Sequence, residues 1–256
     1  MNRTAFISRD HAIVINRVTA LAAVLMTLGS YFWQPVSAVH YIGDVLLRTY
    51  LQFVAGVMAH ECVHGHFGNS KSSNRWWGRF AMLPMLVPYP IFRKEHLQHH
   101  ATTNIPGQDP DEFMNARRSW EIPLRAIALP FHWALWLHKN GRLTRHDRIE
   151  NRVSLLIGVV VYALIAYFAG IQRVVLGFIP VALLHSVFLW YTFAAKTHEG
   201  YSTGAPESRS HNYQSRLFYW FSFGLSLHRT HHLNPQLAWV QMAGEVQTLS
   251  PTDQVA

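Results

Sequence analysis

Long apolar runs alternate with polar stretches along this chain, and their lengths set the first expectation. Four runs stand out, at about 12–33, 41–60, 153–171 and 174–195. A bilayer-spanning helix needs about 20 mainly apolar residues. The later two runs meet that need, and the first does so if Arg17 snorkels to the headgroups. The second run contains Asp44 and Arg48, which lie four residues apart and can pair on one helical face near the membrane edge. Short connections at Gln34–His40 and around Gln172–Arg173 make two hairpins of the four runs. Between the hairpins, Phe80–Phe92 and Ile122–Leu137 are apolar but short or interrupted by Pro84, Pro88, Pro90, Pro123 and Pro130. They read as helices lying in the interface or dipping into the membrane rather than as further spans. The expectation is an all-α integral membrane protein forming a single domain over 1–256. It has four transmembrane helices in two hairpins, and a helical cap made of 60–152 and 196–256.

Composition and charge orient this picture. Half of the residues are hydrophobic and 14% are charged, against about 25% charged in an average soluble domain. Of the 22 Lys and Arg, all but Arg48 and Arg173 precede Val18, fall within 60–152, or follow from Lys196 onward. Basic residues accumulate on the cytoplasmic side of a membrane, so both termini and the cap are expected there. The net charge of +8 and the pI near 9.9 raise the question of nucleic acid. No block of like charges supports it, and the aromatics lie within apolar runs, so no nucleic-acid partner is expected. A secretory signal peptide cleaved near Val36-Ser37-Ala38 is the competing reading of the first run; we read it as a retained span. The single cysteine, Cys62, leaves no intramolecular disulfide and no Cys-rich zinc site, and reads as inert packing.

Candidate chemistry enters with the histidines, which number 17 against 14 acidic residues. Three clusters stand out: His60 with His64, then His96 with His99 and His100, then His228 with His231 and His232. Residues at i, i+3 and i+4 of a helix share a face, so each cluster can aim two or three imidazoles at one point. Eight nitrogen donors exceed the four that one zinc usually takes, which points to a two-metal site. Imidazole suits iron, zinc, copper and nickel alike, so the donors alone do not choose the metal. The other histidines, His11, His40, His66, His132, His138, His146, His185 and His211, read as helix–helix hydrogen-bonding residues or interfacial anchors. Two other functions compete. The segment His60–His64 also matches HExxH, in which two histidines bind zinc and the glutamate is a general base, but that reading leaves six clustered histidines unexplained. A heme carrier needs one or two axial ligands and leaves more.

The motifs HxxxH, HxxHH and HxxHH, in this order around two membrane hairpins, resemble the membrane fatty acid desaturase and hydroxylase superfamily. Relatives of that superfamily include carotenoid ketolases and alkane hydroxylases. The segments His99–Asp111 and His231–Pro235 match as well, so the resemblance runs from the first span to about Met242. It implies a centre of two iron ions that uses O2 to oxidise an unactivated C–H bond in a long apolar substrate. Desaturation of a fatty acyl chain is the first expectation; hydroxylase or ketolase action on an acyl, alkane or carotenoid substrate is the alternative. It also implies a ninth ligand, His198, giving the set His60, His64, His96, His99, His100, His198, His228, His231 and His232, with no catalytic residue beyond it. The sequence departs from the pattern at Glu61, where the first box often carries aspartate. It departs again at Ala194, where the acyl-CoA branch carries a metal-associated asparagine. No cytochrome b5-like module is visible, so a separate electron-transfer protein of ferredoxin, rubredoxin or cytochrome b5 type is expected. Glu61, Glu95, Asp109, Asp111 and Glu199 lie beside the expected ligands and are candidates to hold their far ring nitrogens. The basic cap either attracts a phosphate-bearing acyl carrier or only sets orientation.

Overall fold

The computed structural model describes residues 7–242 apart from 190, 193–196, 199, 201 and 214, and every regular element among them is helical. α1 (Arg9–Gly29) begins where the Ser8 hydroxyl accepts the His11 N–H at 3.3 Å, satisfying one of the four unpaired donors of a helix start. Ser37 caps α2 (Ala38–Val63) in the same way. The two pack through small side chains, with Ala20 and Ala23 of α1 buried in one cluster with Phe53, Ala55 and Met58 of α2.

The second hairpin is tighter than the sequence indicates. α6 (Arg145–Ala169) opens on a capping box, in which Thr144 and Asp147 satisfy each other's backbone N–H. It therefore starts ahead of the apolar run. Gly170, at φ +97°, then turns the chain straight into α7 (Ile171–Leu189). A side chain at that φ would clash with its own backbone, so the break falls at the glycine and not at Gln172–Arg173. The expected end of the fourth run lies partly outside the described residues.

Among the described residues, four helices are long and apolar enough to cross a membrane: Arg9–Phe32, Ala38–Val63, Arg145–Ala169 and Ile171–Leu189. α2 is the enclosed member, whereas α6 turns Leu156, Val159, Leu164 and Phe168 outward. An apolar face of that length is costly in water and suited to lipid. The hairpins are tied together by the pair read from the sequence. Arg48 meets Asp44 at 2.6 Å, donates to the Ser30 carbonyl at 2.9 Å and lies 4.2 Å from the centre of the Tyr31 ring. Gly177 of α7 makes room for it, since a Cβ there would stand 2.1 Å from the guanidinium.

Between the hairpins lie α3 (Lys71–Met82), α4 (Tyr89–Thr102) and α5 (Glu121–Lys139). Ile122–Leu137 falls inside α5, but Phe80–Phe92 is not one helix. α3 stops at Met82, a 3-10 turn covers Leu83–Met85, and Leu86 takes φ +55° before α4 begins. Pro84 and Pro88 lack the N–H that a continuous helix requires. The left-handed Leu86 costs roughly 1–2 kcal/mol. Its side chain seats against α6 at Gly158, where a Cβ would come within 2.5 Å of it.

After α8 (Arg216–Phe221) and α9 (His228–Leu233) the chain is fastened back onto α1 and α2. Trp239 donates its backbone N–H to Glu61 at 3.1 Å and its indole N–H to Asn16 at 2.9 Å. Its carbonyl accepts from the Tyr219 hydroxyl. This clasp holds α9 against the end of α2.

Candidate metal centre

All nine expected histidines converge, in two groups. His60, His64, His96, His100 and His231 form the first; His99, His198, His228 and His232 form the second. In each group one nitrogen per ring lies within 4.8 Å of all the others. The boxes therefore do not each aim at one point. His96 and His100 go to the first group and His99 to the second; His228 and His232 go to the second and His231 to the first. Helical angle explains the split. At about 100° per residue, positions i and i+4 lie about 40° apart, while i+3 falls about 60° to the other side. Each HxxHH turn thus straddles two sites, sending two rings one way and one ring the other.

The nitrogen spacing fits metal ions. His64 and His96 bring their Nε2 atoms to 3.0 Å, and His100 and His231 to 3.1 Å. His228 Nε2 lies 2.9 Å from His198 Nε2 and 3.0 Å from His232 Nε2. A ring nitrogen carries one N–H or one lone pair, so His228 Nε2 cannot hydrogen-bond both neighbours. Two nitrogens bound at right angles to one ion, at about 2.1 Å each, would stand about 3.0 Å apart. Three converging lone pairs are a contradiction without a cation and a ligand set with one. In the first group, neither ring nitrogen of His60 has a hydrogen-bond partner among the described residues, so one is available for the same purpose.

Electrostatics keeps the lone pairs available. Burial, reinforced by neighbouring imidazoles, pushes His64, His96, His228, His231 and His232 well below the usual histidine range. The same causes lower His100, and bring His198 down to about 3. These rings are neutral at pH 7, as metal ligands must be. His99 goes the other way. Burial would lower it, but the carboxylate of Asp109 outweighs burial and raises it to about 9.

The expected carboxylates divide. Asp109 accepts from His99 Nδ1 at 3.0 and 3.1 Å, and from the backbone N–H of Asn104 and Asp111. It thereby fixes the ring with Nε2 toward the group. Asp111 stays 3.8 Å from His99 and takes the Trp133 indole N–H at 2.7 Å. Glu95 is buried beside it; burial and the two aspartates push its carboxyl well above the usual range, so it is neutral. Glu61 faces away from the metal groups, accepting from His66 Nδ1 at 2.8 Å and from the Trp239 N–H. Its approach to His60 is 3.7 Å, too long for a hydrogen bond. That geometry does not suit the general base of an HExxH protease. Glu199 and Ala194 lie outside the described residues.

Several contributors escaped the sequence reading. His198 Nδ1 donates to the Arg209 carbonyl at 3.0 Å, a backbone contact that no side-chain pattern encodes. Asn104, at φ +61°, sends its side-chain N–H groups to the carbonyls of Arg209 and Ser202 at 2.8 and 2.9 Å. With its backbone on Asp109, it joins the supports of His99 and His198. An Asn in a Thr-Thr-Asn-Ile-Pro-Gly turn was the available signal, since Asn tolerates left-handed φ. His185, expected to be a helix–helix hydrogen-bonding residue or an interfacial anchor, is buried, and its Nε2 has no hydrogen-bond partner among the described residues.

A cavity of about 540 Å³ reaches both groups, touching His60 and His96 of the first and His99, His198 and His228 of the second. Away from the histidines its wall is mainly apolar, with Met82, Leu86, Phe92, Met114 and Phe178 among the lining residues. Its volume falls within the range of small-molecule ligand sites.

Comparison with known proteins agrees with this geometry. A family model described as fatty acid desaturase matches residues 35–244. An sn-1 oleoyl-lipid 12-desaturase of Synechocystis sp. is 30% identical over 179 residues, covering 58% of this chain and 47% of that protein. A sphingolipid delta(4)-desaturase/C4-monooxygenase of Mus musculus is 31% identical over 194 residues, covering 70% of this chain and 56% of that protein. An sn-1 acyl-lipid omega-3 desaturase (ferredoxin) of Synechocystis sp. is 33% identical over 89 residues, covering 35% and 23% respectively. The chain thus spans about half the length, or less, of these curated relatives. Four apolar helices, two histidine groups suited to metal and the matched region together make it an integral membrane protein of the fatty acid desaturase family.

Proposed function

We propose that the protein is a di-iron oxidoreductase that removes hydrogen from unactivated C–H bonds of a long apolar chain, with desaturation of a fatty acyl group as its reaction. The observation that carries this reading is the union of two imidazole groups with one apolar cavity that touches both. His60, His64, His96, His100 and His231 would hold one iron, and His99, His198, His228 and His232 the other. When bound, such a pair supplies the redox chemistry that couples reduction of O2 to removal of hydrogen from carbon.

The chain's own residues do the rest. Asp109 and the Arg209 carbonyl orient two rings of the second group. The wall of Met82, Leu86, Phe92 and Met114 excludes water and aligns the substrate beside the histidines, which is where positional selectivity arises. Phe131, Leu155 and Leu183 line the cavity and are also exposed on the outside of α5, α6 and α7. We infer that an acyl chain enters there, sideways from the bilayer. Loss of two hydrogens gives a double bond. Oxygen insertion, as in the monooxygenase part of the mouse relative's name, needs the same ligands and a different hold on the chain. We further propose that both termini and the metal centre face the cytoplasm, because the basic residues lie on that side. Electrons would come from a separate ferredoxin-type protein, by analogy with the relative named for one. The chain would act as one domain.

Metal analysis of detergent-purified protein, with Mössbauer spectra of iron-57-labelled material, tests the reading. Two coupled irons per chain and a mass loss of two hydrogens from added acyl lipid are expected. A single zinc, with iron absent after anaerobic reconstitution, would overturn it.

A further inference from the structure

Within the apolar part of the cavity one polar cluster stands apart from the metal centre. His185 of α7 lines the cavity together with Ser186 and with Gln52 of α2. Its side chain is buried, at 6% exposure, and its Nε2 has no hydrogen-bond partner among the described residues. That nitrogen faces Gly56: a Cβ placed there would stand 4.0 Å from Nε2 and 3.7 Å from the Met85 sulfur, in ordinary contact. Gln52 is committed elsewhere, donating to the Pro84 carbonyl at 3.2 Å. The cluster lies deep in the stem. Gly56 precedes the metal-group residue His60 by one helical turn, about 6 Å along α2, and Gln52 precedes it by about 12 Å.

An imidazole nitrogen facing an apolar cavity without a partner is disfavoured unless something pairs with it. No described residue pairs with it, and the nearby Met85 sulfur offers only a weak acceptor. What remains is the occupant of the cavity. The geometry points to a binding site in which His185 hydrogen-bonds a neutral oxygen, hydroxyl or carbonyl, carried by the substrate. This rests on the proposed function in one respect only: that the cavity holds the substrate. The substrate is then an apolar chain bearing an oxygen function, and not a plain hydrocarbon. Because His185 sits at a fixed depth below the histidine groups, its hydrogen bond sets the distance from that oxygen to the oxidised carbons. His185 is thus a specificity-determining residue, and the hydrogen bond a ruler.

The test is ligand binding to the full protein in nanodiscs. Three probes are compared: an unbranched alkane, the ketone with its oxygen part-way along the same chain, and the matching secondary alcohol. The wild type is expected to bind one or both oxygenated probes at least tenfold more tightly than the alkane. A ketone-selective response assigns Nε2 as a donor, and an alcohol-selective response leaves it as the acceptor. H185L is expected to remove the preference while metal content and melting temperature are kept, and H185Q to restore part of it. G56A adds a methyl group in ordinary contact with Nε2 in a helix that favours alanine. It is expected to weaken oxygenated probes more than the alkane. Equal binding of all three probes to the wild type would overturn the inference, with Nε2 then paired to water. A preference that survives H185L would also overturn it. Should H185L fail to fold, the wild-type series and G56A decide alone. Since binding is read without turnover, failure here is distinct from failure of the di-iron reading, which the metal analysis reports.

Discussion

The two histidine groups hold similar sets of rings by different means. In the first group, His60 lies in the buried last turn of α2, His64 follows at its cap, and His96 and His100 stand one turn apart on α4. Among these rings, neither nitrogen of His60 nor Nδ1 of His231 has a hydrogen-bond partner among the described residues. Helix packing and number of rings do the positioning. In the second group, His198 lies outside any regular helix, while His228 and His232 share short α9 with His231 of the first group and His99 shares α4 with His96 and His100. There the rings are braced: His99 on Asp109, His198 on the Arg209 carbonyl, His232 near Thr103. A hydrogen bond behind the ring fixes its tautomer and orientation, and the second group relies on more of them. The second group should therefore be the more sensitive to changes outside its ligands.

The largest effect tests the ligands themselves. H231A leaves four rings in the first group and H99A leaves three in the second. Both are expected to reduce turnover below detection. H99A should lose iron more completely, by mass spectrometry, because fewer donors remain and its brace on Asp109 goes too. Full iron occupancy in either variant would remove that histidine from the ligand set.

Acid separates the groups next. In metal-free protein, His64, His96, His100 and His231 of the first group are all held below their usual range. They are neutral when folded and protonated when unfolded below about pH 6.5. The unfolded state binds more protons there, so stability present near pH 7 is lost as pH falls. His198, His228 and His232 add to that loss. His99 opposes it: raised to about 9, its contribution is complete below about pH 6.5 and is lost as pH rises through about 9. Metal-free melting temperature should thus fall steeply from pH 7 to pH 5, with a smaller decline toward pH 9. In D109N the alkaline decline should vanish while the acid one persists. A flat profile between pH 7 and pH 5 would contradict neutral, buried rings.

Smaller again is the effect of the braces under turnover conditions. D109N keeps the shape of the side chain but weakens its hold on His99, and is expected to cost about 10–100-fold in iron affinity or turnover. E61Q is the control on the other side. Glu61 braces His66 and Trp239 rather than a ligand, so E61Q should lower melting temperature more than iron affinity. Equal losses of iron from the two variants would erase the distinction between the groups.

The same contrast explains what was legible in the sequence. The four spans followed from the lengths of apolar runs, the Asp44–Arg48 pair from its spacing of four, and all nine converging histidines from motif spacing with the family resemblance. The split of each HxxHH turn was also written there, in the angle between i+3 and i+4, although the sequence reading took each box to serve one point. Helix ends were less legible, because Gly170 and the left-handed Leu86 act through φ and not through hydropathy. The braces were partly hidden for a related reason. Asp109 has a titratable side chain near its ligand in sequence, whereas Arg209 contributes a carbonyl, and Asn104 joins the loops at 102–109 and 202–209 only after they have folded. Trp239 could be placed on Glu61 only by the tertiary clasp.

Thr103 gives the finest test of the difference. Its hydroxyl donates to the His99 carbonyl at 2.7 Å and faces His232 Nδ1 at 3.4 Å. A hydroxyl that has given its proton to a carbonyl can only accept, so it favours the tautomer of His232 with hydrogen on Nδ1 and the lone pair on Nε2. That is the lone pair that meets His228 Nε2 at 3.0 Å. At 3.4 Å the bond is long and weak, far less than a carboxylate brace. T103V conserves volume and removes only the hydroxyl. It should lower turnover by a few-fold, with iron still bound and the melting temperature shifted little. A loss as large as that of D109N would mean that His232 depends on its brace as strongly as His99 does. No loss at all would mean that α9 positions His232 unaided, as helices position the first group.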